Sequence, residues 1–118
     1  MTSQTYFKPY HLYTLSTSLG PIGRVLVIAG DEACRDKYQK TITILPVYDN
    51  PREEGALISV PIRARVHADA PPSQESSFIG IAGAFPMPRH NVEINSATPI
   101  TFNEERTIKR AVREYLAL

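Results

Sequence analysis

The sequence predicts a mainly β fold with a C-terminal helix, arranged as a small, strongly curved antiparallel sheet or barrel. Three observations carry that prediction. Two apolar strands, residues 23–28 and 41–48, stand close together across a polar connection. Further short β-favouring runs follow, divided by turn residues, which is the pattern of a sandwich or barrel. The spacing of apolar residues then changes from alternating to helical near the C-terminus. At 118 residues, with 42% hydrophobic and 21% charged content, the chain fits one domain spanning residues 1–118.

Taken in order, Tyr10-His11-Leu12-Tyr13-Thr14-Leu15 is rich in aromatic and β-favouring residues and reads as the first strand. Residues 16–22 form a loop punctuated by Gly20-Pro21. The run 24–29 is nearly continuous in apolar residues, as expected of a central strand buried on both faces. Residues 31–39 are polar and hold one irregular turn. Thr41 to Val47 then alternates, and Pro46, which has no N–H to donate, is expected to end or bend that strand. After a solvated turn at 49–55, a long strand over 56–66 puts Ile62, Ala64 and Val66 on one side and Arg63 and Arg65 on the other. Residues 67–76 are a loop, 77–82 a strand with a glycine that suggests a bulge or close backbone approach, and 91–94 a short last strand.

The helix is the best-marked element. Thr101 and Glu104 make a capping box, each satisfying a backbone donor at the helix start. Ile108, Ala111, Val112, Tyr115 and Leu116 repeat as one apolar stripe. Glu104 and Glu105 fall in the first turn, with Lys109, Arg110 and Arg113 later, as the helix dipole favours.

Composition narrows the function. A net charge of +1 disfavours extensive binding to duplex DNA, while leaving a short single strand or a protein partner open. Cys34 is the only cysteine, so no internal disulfide is expected, and its acidic flanks are expected to disfavour the thiolate rather than activate it. The N-terminus lacks the regions of a signal peptide, and no apolar run reaches the ~20 residues of a membrane span, so the expected location is the cytoplasm. There is no phosphate-binding glycine loop, no HExxH and no GxSxG, and three scattered histidines do not make a metal site; neither a metal nor another cofactor is expected.

Basic residues are the remaining lead. Arg24 opens the central strand, either as half of a structural ion pair or as a catalytic cation. Arg63 and Arg65 share a face, which is either solvated or able to straddle a phosphate. Arg89-His90 follows Met87-Pro88, and a histidine there is either a solvated loop residue or a proton-transfer group. Tyr6, Phe7, Tyr10 and Tyr13 cluster early; packing under the helix or across a dimer is favoured over base stacking.

The order of these elements resembles the MazF/PemK toxins of type II toxin–antitoxin pairs and, more distantly, CcdB. The resemblance runs from about residue 8 to 118. It is carried by Gly23-Arg24-Val25-Leu26-Val27-Ile28, Ile44-Leu45-Pro46-Val47-Tyr48, Ser59-Val60-Pro61-Ile62, residues 77–85 and residues 101–118. It implies a small SH3-like barrel, a homodimer, and an mRNA interferase that cleaves single-stranded RNA without metal. In that chemistry the ribose 2′-hydroxyl attacks the adjacent phosphate, and an arginine stabilises the developing charge. Carried over, Arg24 is the arginine and Tyr48 stands where the family has threonine or serine. Arg63, Arg65, Arg89 and His90 line the RNA groove, and the partner is an antitoxin with an acidic tail. The presence of Tyr48 leaves a second possibility, a non-catalytic dimeric binding module on the same fold. Gyrase inhibition of the CcdB kind is the weakest, since it depends on a C-terminal Trp-Gly-Ile and the chain contains no tryptophan.

Overall fold

In the computed structural model, residues 6–20, 22–36, 38–49 and 58–116 are described. Seven strands make one sheet in which every pairing is antiparallel: β1 (His11–Leu19), β2 (Ile22–Val27), β3 (Thr41–Tyr48), β4 (Ser59–Ile62), β5 (Ser77–Gly80), β6 (Phe85–Pro88) and β7 (Thr98–Pro99). A short helix α1 (Asp31–Arg35) links β2 to β3, and α2 (Phe102–Leu116) closes the chain. The order across the sheet is β4-β5-β3-β2-β1-β7, with β6 pairing to β3 beside β5. The sheet curls into a half-barrel, so the mainly β fold with a C-terminal helix is what forms.

Alternation along the strands divides the interior in two. On one face Leu12, Leu26, Leu45, Val47, Val60, Ile62 and Ile79 pack with Ile108 and Val112 of α2. On the other, Tyr13, Val25, Val27, Ile42, Ile44 and Met87 pack with Phe7 and Cys34. Val25, Leu26 and Val27 are all fully buried, which explains the unbroken apolar run of β2. The early aromatics are used mainly for packing. Phe7 meets Tyr13 edge-on at 5.1 Å, and Tyr10 lies under α2, with the Lys109 ammonium 4.9 Å from its ring centroid.

The prolines follow the hydrogen-bond register. Ile28 N–H donates to Thr43 O at 3.1 Å, so Thr43, Leu45 and Val47 face β2 while Ile44, Pro46 and Tyr48 face the other neighbour. On that side β3 pairs with β6 as far as Ile44 and with β5 from Val47. Pro46 sits in the gap where one partner hands over to the other, and the strand continues to Tyr48 instead of ending. Gly83 is needed beside it, because a Cβ there would lie 2.7 Å from Pro46 Cγ. The same parity turns the nitrogens of Pro61 in β4, Pro86 and Pro88 in β6, and Pro99 in β7 away from their neighbouring strands.

Several elements differ from expectation. β1 runs on to Leu19 and reaches Ile22 through Gly20, whose φ of 56° suits a glycine turn. The expected strand 56–66 pairs only over Ser59–Ile62; residues 56 and 57 and most of the 49–55 turn lie outside the described residues. Its alternation persists to buried Ala64, then fails at Val66, which is 80% exposed. Residues 81–83 form a 3-10 turn and β6 follows, a strand that its two prolines hid. Residues 91–94 contribute only an isolated bridge, Leu15 to Val92, and β7 is the last strand.

The capping box forms as expected. Thr101 N–H donates to Glu104 Oε1 at 2.9 Å, and Glu104 N–H donates to Thr101 Oγ1 at 3.1 Å. The second oxygen, Glu104 Oε2, accepts from Arg63 N–H at 2.8 Å, tying the helix start to the end of β4. Thr101→Ala is therefore expected to cost about 1 kcal/mol, as for other lost caps. Glu104→Ala should cost more, about 1–2 kcal/mol, because two backbone donors lose an anionic acceptor. Urea denaturation of the two variants checks the order.

Candidate active site

Arg24 lies in the sheet with Thr14 of β1 and Val47 of β3 as its register partners, so these three side chains share one face. Its guanidinium is half-buried, and Nη2 donates to Arg65 O at 2.9 Å. Burial pulls the Arg24 pKa below its ordinary value, and the Asp49 carboxylate acts in the opposite direction. Arginine stays cationic through such shifts, so a positive charge sits in partly dehydrated surroundings where it interacts strongly.

The cation lines a cleft of about 160 Å³ with Gly23, Val47, Asp49 and Ser77. β3 pairs Val47 with Ile79 and Tyr48 with Phe78. Continuing that register places Asp49 opposite Ser77, at the mouth of the cleft. Arg65 crosses above it: its backbone oxygen holds Arg24, while its Nη1 donates to Ala70 O and closes the 65–70 turn. Arg63 is exposed next to this turn. Arg24, Arg65 and Arg63 thus gather at one corner of the sheet.

Tyr48 is not brought to Arg24. It neighbours Val47 in β3 and projects from the opposite face, where its Oη would be 3.9 Å from a Cβ on Gly83. Arg89 and His90 are also elsewhere. Arg89 N–H donates to Lys40 O at 3.0 Å, at the far end of β3, and from Lys40 to Val47 the extended chain covers roughly 20 Å. The Arg89 guanidinium donates to the carbonyls of Cys34 at 2.9 Å, Asp36 at 3.1 Å and Ala33 at 3.3 Å, and lies 5.1 Å from the Phe7 ring centroid. It caps the C-terminal end of α1. His90 is exposed on the following turn. Arg89→Ala is expected to destabilise by about 1–3 kcal/mol, since several carbonyls lose a charged donor; thermal unfolding measures it.

Asp49 and Ser77 belong to the Arg24 cleft although nothing local in the sequence marks them. Only the pairing of β3 with β5 brings them together, and a register between distant strands leaves no motif. Among the described residues no group of three His, Cys, Asp or Glu is placed to hold a metal ion, and no helix is long and apolar enough to cross a membrane.

No protein-family model matches the sequence, and no curated protein matches it. Among solved structures the chain is similar to the Mycobacterium tuberculosis toxin MazF-mt6, with a TM-score of 0.62 and 15% identity over 94% of this chain and 98% of that one. The likeness extends along nearly the whole chain and shows that the fold is MazF-like.

Proposed function

We propose that this protein is the toxin of a type II toxin–antitoxin pair and acts in the cytoplasm as a metal-independent endoribonuclease on single-stranded RNA. The observation that supports this best is Arg24, a half-buried cation opening into a cleft on a MazF-like sheet. One guanidinium nitrogen binds the Arg65 carbonyl, and the remaining donors of the fork are the chemical match for a phosphate. As the ribose 2′-oxygen bonds to phosphorus and the bond to the 5′-oxygen breaks, negative charge grows on the phosphoryl oxygens beside Arg24, and the departing 5′-oxygen takes a proton from solvent to leave as a 5′-hydroxyl. A preorganised cation there lowers the barrier. Asp49 is the carboxylate in the cleft able to take the 2′-hydroxyl proton, a role that Tyr48, on the opposite face, does not reach. Arg63 and Arg65 adjoin the cleft for the flanking backbone, whereas Arg89 and His90 meet only a longer RNA. A homodimer, with an acidic antitoxin tail across the basic corner, completes this reading.

A second reading, a non-catalytic binding module on the same fold, draws on the bond from Arg24 to the Arg65 carbonyl, which gives the arginine a structural task. One experiment separates them. The purified protein is incubated with labelled single-stranded RNA in the presence of a chelator. Fragments ending in 2′,3′-cyclic phosphate, together with growth arrest on expression in bacteria, support the nuclease. RNA that is bound but left intact supports the module, and RNA neither bound nor cut removes the nuclease, while strong cleavage removes the module. Light scattering tests the dimer.

A further inference from the structure

A second hollow, of about 330 Å³, opens beside Thr14, the register partner of Arg24 on the side away from Val47. Its volume is at the lower end of small-molecule sites, about 300–1,000 Å³. The floor is fixed by a chain of hydrogen bonds. Thr14 N–H donates to Ser96 Oγ at 2.8 Å, Ser96 Oγ donates to Glu93 O at 2.6 Å, and Thr98 Oγ1 donates to Ser96 O at 3.1 Å. His67 and Asp69 form the rim, held by the turn in which Ala70 N–H donates to His67 O at 3.1 Å. Both side chains are exposed, and among the described residues neither is committed to a protein partner.

Among the described residues the lining contains no lysine or arginine, and Asp69 repels anions, which disfavours a phosphate there. An uncharged group rich in hydroxyls and ring nitrogens suits it better. Asp69 can accept from a ribose hydroxyl or an exocyclic amine, and the His67 imidazole can stack on a base or hydrogen-bond its edge. The cation that the hollow lacks stands next door: Thr14 and Arg24 are cross-strand partners, with Cα atoms about 4.5–5.5 Å apart. Arg24 Nη2 also donates to the carbonyl of Arg65, two residues before His67, so the guanidinium adjoins the turn that forms the rim of the hollow.

We propose that this hollow is a nucleoside subsite, holding the ribose and base of the nucleotide whose phosphate is anchored at Arg24. The inference rests on the RNA reading given above. It adds His67 and Asp69 as residues that recognise the nucleoside, separate from the charge-stabilising arginine.

The test follows backbone amide shifts by NMR while the full chain is titrated with adenosine, cytidine, guanosine or uridine, with inorganic phosphate, and with a 2′-O-methylated tetranucleotide that cannot be cleaved. At least one nucleoside should shift the amides of residues 66–69 and 95–98, and phosphate should shift those around Arg24 instead. Asp69→Asn and His67→Gln, both surface changes that leave melting unaltered, should each weaken nucleoside binding about tenfold, the loss of one good hydrogen bond. Amides at the hollow that stay unmoved by every nucleoside, or wild-type affinity in both variants, overturn the subsite. Should RNA be cut while the hollow stays silent, the nuclease stands and the subsite falls. Should nucleosides bind there while RNA is neither bound nor cut, the hollow takes nucleosides but the nuclease falls, and with it the hollow's place as a subsite beside Arg24.

Discussion

Arg24→Ala is expected to slow RNA cleavage by about 10²–10³-fold, the usual loss when one preorganised donor to a developing oxyanion is removed. The effect should fall mainly on kcat, because the bond to phosphate strengthens as charge accumulates. Arg24→Lys keeps the charge but not the planar fork, and should recover only part of the rate. Arg24 also donates to Arg65 O at 2.9 Å, so the alanine variant should lose about 1 kcal/mol of stability as well. Thermal unfolding beside the kinetics separates the two effects, since a fold destabilised by that amount remains almost wholly folded at 25 °C. Cleavage by folded Arg24→Ala at the wild-type rate would remove Arg24 from the chemistry.

The second large effect concerns the fold itself. Ile44→Ala in β3 should cost about 2–5 kcal/mol, since Ile44 is fully buried and its removal leaves a cavity among Val25, Val27, Ile42 and Met87. Ile79→Ala in β5 should cost a similar amount in the other core, against Val47, Val60 and the helix residue Ile108. Either is a large part of the total stability of a domain, typically 5–15 kcal/mol. The sheet lies between the two sites and they share no core cluster, so the double variant should show the sum of the single losses to within about 0.5 kcal/mol. Urea denaturation at 25 °C measures all three, and strong non-additivity would mean that the two cores are mechanically one.

What could be read in the sequence was local in origin. The capping box and apolar stripe of α2 depend on residues within four positions of each other, and both form. The buried run of β2 stands out because each of its residues makes its own contribution to burial. β6 escaped notice because Pro86 and Pro88 weigh against a strand, while the edge position that makes them harmless depends on β3. The second half of β1 is polar at Ser16 and Thr17, which are exposed, so its strand character lies in pairing and not in residue type. The site divides in the same way. An arginine at the head of an apolar run is conspicuous, whereas Asp49, Ser77, His67 and Asp69 come near it only through strand register and the turn after β4. Arg89 has the opposite history: a basic loop residue by sequence, it spends its guanidinium on the carbonyls that end α1.

The prolines of β4, β6 and β7 limit how this protein can meet other chains. An extended peptide joins a sheet by matching its backbone donors and acceptors to those of an outer strand. Here the outward positions of those strands include Pro61, Pro86, Pro88 and Pro99, each a missing donor in a row only two to four residues long. The same gaps disfavour edge-to-edge pairing of copies along these strands. Among the described residues these outer strands therefore favour recognition of a partner through side chains, where single substitutions can change partner choice without touching the backbone that holds the fold.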